Sequence, residues 1–318
     1  MASATTSVAA VLTGLSGSDF LSSADTTAQQ TAALLQLATQ LKRGERRIDL
    51  GNRVLGLIFT KASTRTRVSF QVAMARLGGQ TVDLNPQLTQ LGRGEPLEDT
   101  ARVLSRFCDV LAIRTFAQQE LADYAHWASI PVINALTDLE HPCQALADFL
   151  TLQEAFGDLQ GQTLAYVGDG NNVAHSLMLC GALRGVNVRI GCPEGFEPLP
   201  GVVDQARALS VGGAQISVIT DPVEAVRGAQ ALYTDVWASM GQEQEQAERE
   251  RAFQGFCLNE DLLAEADSRA IVLHCLPAHR GEEISAGVME GPSSRIFDQA
   301  ENRLHAQQAL LAALLGGL

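Results

Sequence analysis

Lysine is almost missing from this chain: Lys42 and Lys61 are the only two among its 23 basic residues. The remaining positive charge is arginine, whose planar fork suits bidentate contacts to phosphate and carboxylate; a compositional bias would give the same count. Positive charge is also outweighed, with a formal net charge of −13. That balance argues against a nucleic-acid surface and leaves any anionic ligand dependent on individually placed arginines. No apolar run reaches the length of a membrane span. The six cysteines (Cys108, Cys143, Cys180, Cys192, Cys257 and Cys275) contain no C-x-x-C pair, so neither a zinc site nor a disulfide framework is expected. Free thiols fit a reducing compartment. Residues 1–18 are rich in Ala, Ser and Thr but hold no basic residue, unlike a signal or transit peptide. The expected location is the cytoplasm, with no membrane and no nucleic-acid partner.

What is present is ordinary for a globular protein: 318 residues, 46% apolar and 19% charged, enough for two domains with a sizeable core each. One stretch stands out. Residues 59–67 read Phe-Thr-Lys-Ala-Ser-Thr-Arg-Thr-Arg. They follow an apolar run, 54–59, that predicts a buried strand, and precede Phe70, Ala73, Met74 and Leu77 at the spacing of one helix face. Ser63, Thr64, Arg65 and Thr66 therefore fall at a strand-to-helix turn, where backbone N–H groups and the positive end of the helix dipole favour an anion. Three hydroxyls and a guanidinium on that turn add donors shaped for phosphate oxygens. The pattern reads as a phosphate cradle; the plainer alternative is a Ser/Thr-capped helix with surface arginines.

Elsewhere the chain alternates strands and helices with short connections, the pattern of a parallel doubly wound sheet. Residues 1–16 read as a loose extension. A helix over 32–41, capped by Asp25-Thr26-Thr27 and ended by Gly44, comes before the opening strand. Strands are expected over 80–84, 110–113 and 130–133, and helices over 97–106 and 118–127. Residues 87–96 read as a polar loop. His141-Pro142-Cys143-Gln144 opens a further helix, since Pro suits a first helical position. After Gly157 and Gly161 come strands over 163–167, 186–190, 231–234 and 271–273. Helices follow over 173–183, after Asp221-Pro222, over the acidic 242–251 run as a solvated segment, and over 301–315. The polar clusters at 63–66, Arg114, Asn171-Asn172, 235–240 and Cys275 all directly follow strands, where open parallel sheets bind ligands.

Several of these positions admit two readings. Gly168-Asp169-Gly170 follows a strand, but Val173 stands where a dinucleotide-binding fingerprint needs its last glycine. Asn172 offers a donor and an acceptor to an amino-acid-like ligand, or is a turn residue. His141 and Gln144 lie three apart on one helical turn and so face the same space. They suit a carbamoyl or amide group, or a capping role. Asp235 is placed to receive an ammonium group, or is a turn aspartate. Cys275 lacks His/Asp support, so it shapes a pocket rather than acting as a nucleophile. His126, His175, His274, His279 and His305 show no ligand spacing and read as structural.

Together these segments resemble the aspartate/ornithine carbamoyltransferase (transcarbamylase) family. Residues 63–67, Ser-Thr-Arg-Thr-Arg, match its carbamoyl-phosphate motif, and residues 141–144 match its H-P-x-Q motif. Asp-Val-Trp-Ala-Ser-Met-Gly at 235–241 and His-Cys-Leu-Pro at 274–277 match its ornithine branch. The resemblance runs from about residue 19 to the C-terminus. It implies an α/β fold of two doubly wound domains with parallel central sheets, joined by interdomain helices. The expected division is a carbamoyl-phosphate-binding domain over 1–142, an ornithine-binding domain over 143–300, and a C-terminal helix over 301–318 packing back on the first. It further implies a homotrimer with active sites at subunit interfaces, and no cofactor or metal.

By the same resemblance, Ser63, Thr64, Arg65, Thr66 and Arg114 hold the phosphate, with Gln90 supplied across an interface. His141 and Gln144 hold the carbamoyl group, and Arg303 returns to the carbamoyl-phosphate site. Asn172, Asp235, Ser239 and Met240 bind ornithine, while Cys275 and Leu276 count among the carbamoyl-phosphate-binding residues and line ornithine's δ-amine. Arg114, His141 and Cys275 make up the implied catalytic set. The implied reaction is attack of ornithine's δ-amine on carbamoyl phosphate through a tetrahedral intermediate, giving citrulline and phosphate. One departure is the loop at 90–95: some relatives carry a lysine there, and Arg93 is the only candidate cation here. The rival expectations are a different acceptor (acetylornithine, putrescine or aspartate) and a non-catalytic ligand-binding paralogue.

Overall fold

The computed structural model of the protein describes residues 7–85, 94–238 and 246–318. Its contacts divide the chain into two units, Met1–Leu150 with Arg303–Leu318, and Thr151–Asn302. The first unit is built on four parallel strands, β1 (Val54–Phe59), β2 (Gln80–Leu84), β3 (Val110–Arg114) and β4 (Val132–Leu136), in the order β2-β1-β3-β4. The second holds five, β5 (Thr163–Val167), β6 (Asn187–Gly191), β7 (Ile216–Ile219), β8 (Ala231–Thr234) and β9 (Ile271–His274), in the order β7-β6-β5-β8-β9. All its pairings are parallel as well.

The central strands are nearly continuous apolar runs because both of their faces are covered. Leu55 and Leu57 in β1, and all of 110–113 in β3, are fully buried. Gly56 belongs to the same tight layer: a Cβ there would come 2.7 Å from Leu111 Cδ2 and 3.2 Å from Cys108 Sγ. β1 and β3 pair with Phe59 opposite Arg114, so the two strands end side by side.

In the first unit the helices are α1 (Val8–Leu12), α2 (Ala28–Lys42), α3 (Arg65–Arg76), α4 (Leu97–Leu104) and α5 (Gln118–Trp127). α6 (Pro142–Phe156) crosses from the first unit's residues into the second's. The second unit continues with α7 (Asn172–Arg184), α8 (Pro200–Leu209), α9 (Pro222–Val226), α10 (Gln246–Ala252), α11 (Glu260–Ala264) and α12 (Ala286–Met289). α13 (Ile296–Leu314) leads back into the first unit. α2 starts with a capping box, Thr27 and Gln30 each bonding the other's backbone N–H, which satisfies two donors that a helix start leaves over. Phe70, Ala73, Met74 and Leu77 form the buried face of α3 and its C-cap, as their spacing predicts.

The structure differs from the sequence pattern in several places. Residues 8–15 are not a loose extension: α1 is capped by Ser7, and Leu12 and Leu15 are buried. β4 starts at Val132, not at residue 130, because Pro131 has no N–H to give the ladder. α8 and β7 have no counterpart among the predicted elements; β7 is an edge strand with only Ile216 buried, so no apolar run marks it. α13 begins five residues earlier than position 301. Of the 242–251 run the structure describes 246–251, and that part is not simply solvated, because Arg249 in α10 is buried, with Nη1 2.8 Å from Asp169 Oδ2 and 2.7 Å from the Trp237 carbonyl. The two contact units meet at residues 150 and 151, inside α6.

The turn after β5 shows why Gly-Asp-Gly stands there. A Cβ on Gly170 would lie 2.2 Å from Pro198 N and 2.4 Å from the Glu197 carbonyl carbon. The glycine makes room for the facing 193–198 loop, whose Phe196 carbonyl accepts its N–H at 2.9 Å. Gly170→Ala is expected to lower stability by about 1–3 kcal/mol through overpacking against backbone. Urea unfolding of the variant beside wild type checks this, and an unchanged midpoint would contradict it.

Candidate active site

In a doubly wound sheet the crevice opens where the strand order reverses direction. In the first unit that point lies between β1 and β3. The turn carrying Ser63 and Thr64 leaves the end of β1, and Arg114 is the last residue of β3. Thr64 is the N-cap of α3, yet its side chain makes no cap hydrogen bond, which speaks against the capped-helix reading. Arg65 faces solvent at the first helical position, while Thr66 and Arg114 are buried. Arg67 turns away to pair with Asp83 of β2 and stacks over Phe59, so its role is structural. Lys61, one of the two lysines, places Nζ 3.9 Å over the Phe116 ring. Burial, with the nearby Arg114 charge adding to it, lowers its affinity for a proton.

Arg303, from α13, joins two of these turns. Its guanidinium donates to Gln144 Oε1 at 2.6 Å and to Thr66 Oγ1 at 3.0 Å, and the residue is 3% exposed. Gln144 in turn donates Nε2 to Asp148 Oδ1 at 2.8 Å. The Gln144 amide thus already meets protein on both sides, and its carbonyl keeps a second lone pair for a ligand N–H. Glu140, which is buried and accepts from the Ser22 hydroxyl and the Ser23 N–H, anchors the residue next to His141. Burial first, then the Arg303, Arg114 and Arg65 charges, push the His141 imidazole well below its ordinary pKa. A neutral ring has one N–H to donate. Its neighbour Cys143 is pushed up to about 12 by burial, so it is a packed thiol rather than a nucleophile.

In the second unit the order reverses between β5 and β8. Asn171, in the turn after β5, caps α7: its Oδ1 accepts from the Val173 and Ala174 N–H groups at 2.9 and 3.2 Å. Its Nδ2 donates to Asp235 Oδ2, just past β8, at 3.0 Å. The other carboxylate oxygen of Asp235 accepts from Cys275 Sγ, just past β9, at 3.0 Å. The ends of β5, β8 and β9 are therefore linked by one chain of side-chain bonds around a buried carboxylate. Donor atoms of Asp235, His274 and Cys275 lie within 4.8 Å of one another, as a metal would need. His274, however, already uses Nδ1 for the Leu276 N–H and Nε2 for Glu283, and Asp235 and Cys275 are engaged as above.

Of the residues expected at a site, the first unit gathers Ser63, Thr64, Arg65, Thr66, Arg114, His141, Gln144 and Arg303 around the end of its sheet. The second holds Asn172, Asp235, Cys275 and Leu276. Gln90, Arg93, Ser239 and Met240 lie outside the described residues. Asn172 is the first residue of α7, whereas the N-cap that touches Asp235 is Asn171. An asparagine one residue before a helix is a cap signal, so the contact had a local trace in the sequence. Asp148 also had one, as the i, i+4 partner of Gln144 on α6, whereas Glu283 had none, since it reaches His274 from nine residues away.

The sequence profile described as "Aspartate/ornithine carbamoyltransferase, carbamoyl-P binding domain" matches residues 18–154, and "Aspartate/ornithine carbamoyltransferase, Asp/Orn binding domain" matches 160–314. The chain is 85% identical over 311 residues to a protein named ornithine carbamoyltransferase from Prochlorococcus marinus (strain MIT 9313), covering 98% of each. It is 81% identical over 318 residues to one of the same name from Parasynechococcus marenigrum (strain WH8102), covering 100% of each. The solved structure of ornithine carbamoyltransferase from Pyrococcus furiosus superposes with a TM-score of 0.92 at 48% identity, over 96% of this chain and 99% of that one. Matched over nearly its whole length, the chain belongs to the aspartate/ornithine carbamoyltransferase family.

Proposed function

We propose that this chain transfers the carbamoyl group of carbamoyl phosphate to the δ-amine of L-ornithine, releasing L-citrulline and phosphate. The observation that carries the choice of acceptor is Asp235, a buried carboxylate at the end of β8 with Cys275 3.0 Å away. Such a pair receives an amine; an acidic acceptor such as aspartate would need a cation there. High identity to relatives named ornithine carbamoyltransferase supports the same reading.

In this reading the N-terminus of α3, with Ser63, Thr64, Arg65 and Thr66, holds the phosphate together with Arg114. Gln90 joins them from a neighbouring subunit of a homotrimer. Neutral His141 donates to the carbamoyl oxygen, Gln144 accepts from its amide, and Arg303 holds Gln144 and Thr66 in place. Asn172, Asp235, Ser239 and Met240 bind ornithine, and Cys275 with Leu276 lines its δ-nitrogen. The δ-nitrogen lone pair forms a bond to the carbonyl carbon, and the oxygen takes up negative charge. Arg114, His141 and Thr66 are preorganised donors for that oxyanion. The C–O bond to phosphate then breaks, its electron pair leaves with the phosphate, and the amine proton goes to that phosphate. Holding two substrates in reacting geometry accounts for about 7–11 kcal/mol of barrier in well-oriented pairs. Among the described residues no helix is long and apolar enough to cross a membrane, and the cytoplasm is the proposed location.

A colorimetric citrulline assay with ornithine, acetylornithine, putrescine and aspartate in parallel tests the reading. Turnover with ornithine far above the other three is expected, and preference for any other acceptor would overturn it. Asp235→Asn replaces the carboxylate while keeping its shape, and sets an amide against the donors of Asn171 and Cys275. Hydrogen bonds to a charged group are worth about 1.5–3 kcal/mol, so ornithine affinity should fall about tenfold or more. Calorimetric titration should find carbamoyl-phosphate affinity nearly unchanged, and equal losses for both ligands would count against the assignment. His141 works neutral, and a depressed pKa keeps it neutral at and below its ordinary 6.5. The rate at saturating ornithine should therefore lose no activity to His141 as pH falls towards that value. Removing one of the neighbouring positive charges favours the protonated ring, so Arg303→Met should shift the acid limb to higher pH. A pH–rate profile whose acid limb stays in place would contradict this.

A further inference from the structure

We infer that His274 and Glu283 form a positioning pair that fixes the acceptor-binding turn at Cys275 and Leu276. The inference rests on the ornithine reading above and deepens it, because neither residue is placed against substrate. Leu276 has φ +60°, the only non-glycine with a positive φ among the described residues. This left-handed conformation costs energy for any residue with a Cβ and persists where neighbours over-determine it. Those neighbours are identifiable. The Leu276 N–H donates to His274 Nδ1 at 2.8 Å. An imidazole nitrogen that accepts from a backbone N–H holds no proton, so the ring's hydrogen lies on Nε2. Nε2 stands 3.0 Å from Glu283 Oε1 and donates to it, and both side chains are fully buried.

Glu283 closes the turn from its far side as well. The same Oε1 accepts the His279 N–H at 2.6 Å, so one carboxylate oxygen ties residue 274 to residue 279 across the turn between them. Glu283 is itself held: its carbonyl accepts the Leu258 N–H at 2.8 Å, and Ile284 bridges to Leu258 and Arg280. At the near end the His274 N–H donates to Gln299 Oε1 at 2.9 Å. A histidine whose second nitrogen is fixed by a carboxylate has a set tautomer and ring angle, the device that orients histidine ligands in metal sites. Here what the ring orients is the peptide N–H of Leu276. Through it the pair sets where Cys275 Sγ meets Asp235 and where the Leu276 peptide faces the amine.

Three variants test this, with citrulline formation as the readout. Glu283→Leu removes the acceptor, and kcat/KM for ornithine should fall about tenfold or more, the scale on which slight misplacement of a reacting group acts. Carbamoyl-phosphate affinity, measured alone by calorimetry, should fall clearly less than kcat/KM for ornithine, because its phosphate contacts, Ser63 to Thr66 and Arg114, belong to the first unit. Glu283→Gln keeps a carbonyl oxygen for both N–H donors and should hold kcat/KM to within about threefold of wild type. His274→Gln keeps an N–H for Glu283 but lacks the ring nitrogen that receives the Leu276 N–H. It should likewise lose about tenfold or more in kcat/KM for ornithine, and it carries the test if Glu283→Leu does not fold. Unchanged ornithine kinetics in His274→Gln, or a Glu283→Gln variant as poor as Glu283→Leu, would overturn the pairing while a wild type active on ornithine keeps the functional reading. A wild type that makes no citrulline would remove both.

Discussion

Each sheet in this protein reverses its direction of growth once, and that single topological constraint decides where chemistry is possible. A right-handed crossover sends every helix of one half to one face and every helix of the other half to the opposite face. Between the two inner strands, no connection covers the carboxyl ends. In the first unit those strands are β1 and β3, and in the second β5 and β8. The strand interiors are apolar and buried, whereas the residues just beyond them are hydroxyls, amides, guanidiniums and a carboxylate. The apolar stretch and the polar cluster that follows it are two results of the same winding.

The two openings are charged in opposite senses. In the first unit Arg65, Arg114 and Arg303 converge on a histidine that their charges and burial keep neutral. Placing like charges together costs energy even in a chain that otherwise carries a large negative excess, and an anion bound between them would relieve it. In the second unit a single carboxylate, Asp235, is held by an amide and a thiol, and the Tyr166 hydroxyl nearby is pushed well above its usual range by burial and that carboxylate. The scarcity of lysine is consistent with this division. Buried guanidiniums stay charged where a buried ammonium tends to give up its proton, and the partly buried Lys61 is already displaced in that direction.

What is legible in the sequence is local. The cradle turn, Arg114 at a strand end, and the opening of α6 at His141-Pro142 are each carried by residues within one strand and one helix, so spacing alone locates them. The alternation of elements likewise points to the two parallel sheets. What escapes are features made by distant residues. The buried Arg249–Asp169 pair spans 80 positions, and the Arg303 contact with Thr66 spans 237; no local periodicity encodes either. The charged run containing Arg249 looks like a solvated face because its partner lies on another element. β7 escapes because an edge strand need not be apolar, and α1 because its apolar positions are surrounded by small residues. Asn171 and Asn172 look alike in sequence until one of them is seen to cap the helix and reach Asp235.

The Arg303 contacts bear on how the protein is made. The first unit consists of the chain's first 150 residues together with its last 16, Arg303–Leu318. The ribosome therefore delivers the second unit's entire sequence before the first can be completed. Until the final helix emerges, the early part of the chain lacks the guanidinium that joins Thr66 to Gln144, along with the buried Ala309, Leu310 and Leu311. A nascent chain waiting in that state exposes apolar surface for the time it takes to synthesise some 150 residues, roughly 8–30 s at about 5–20 residues per second. Loss of Arg303–Leu318 would thus be felt at Thr66 and Gln144, in sequence translated long before it.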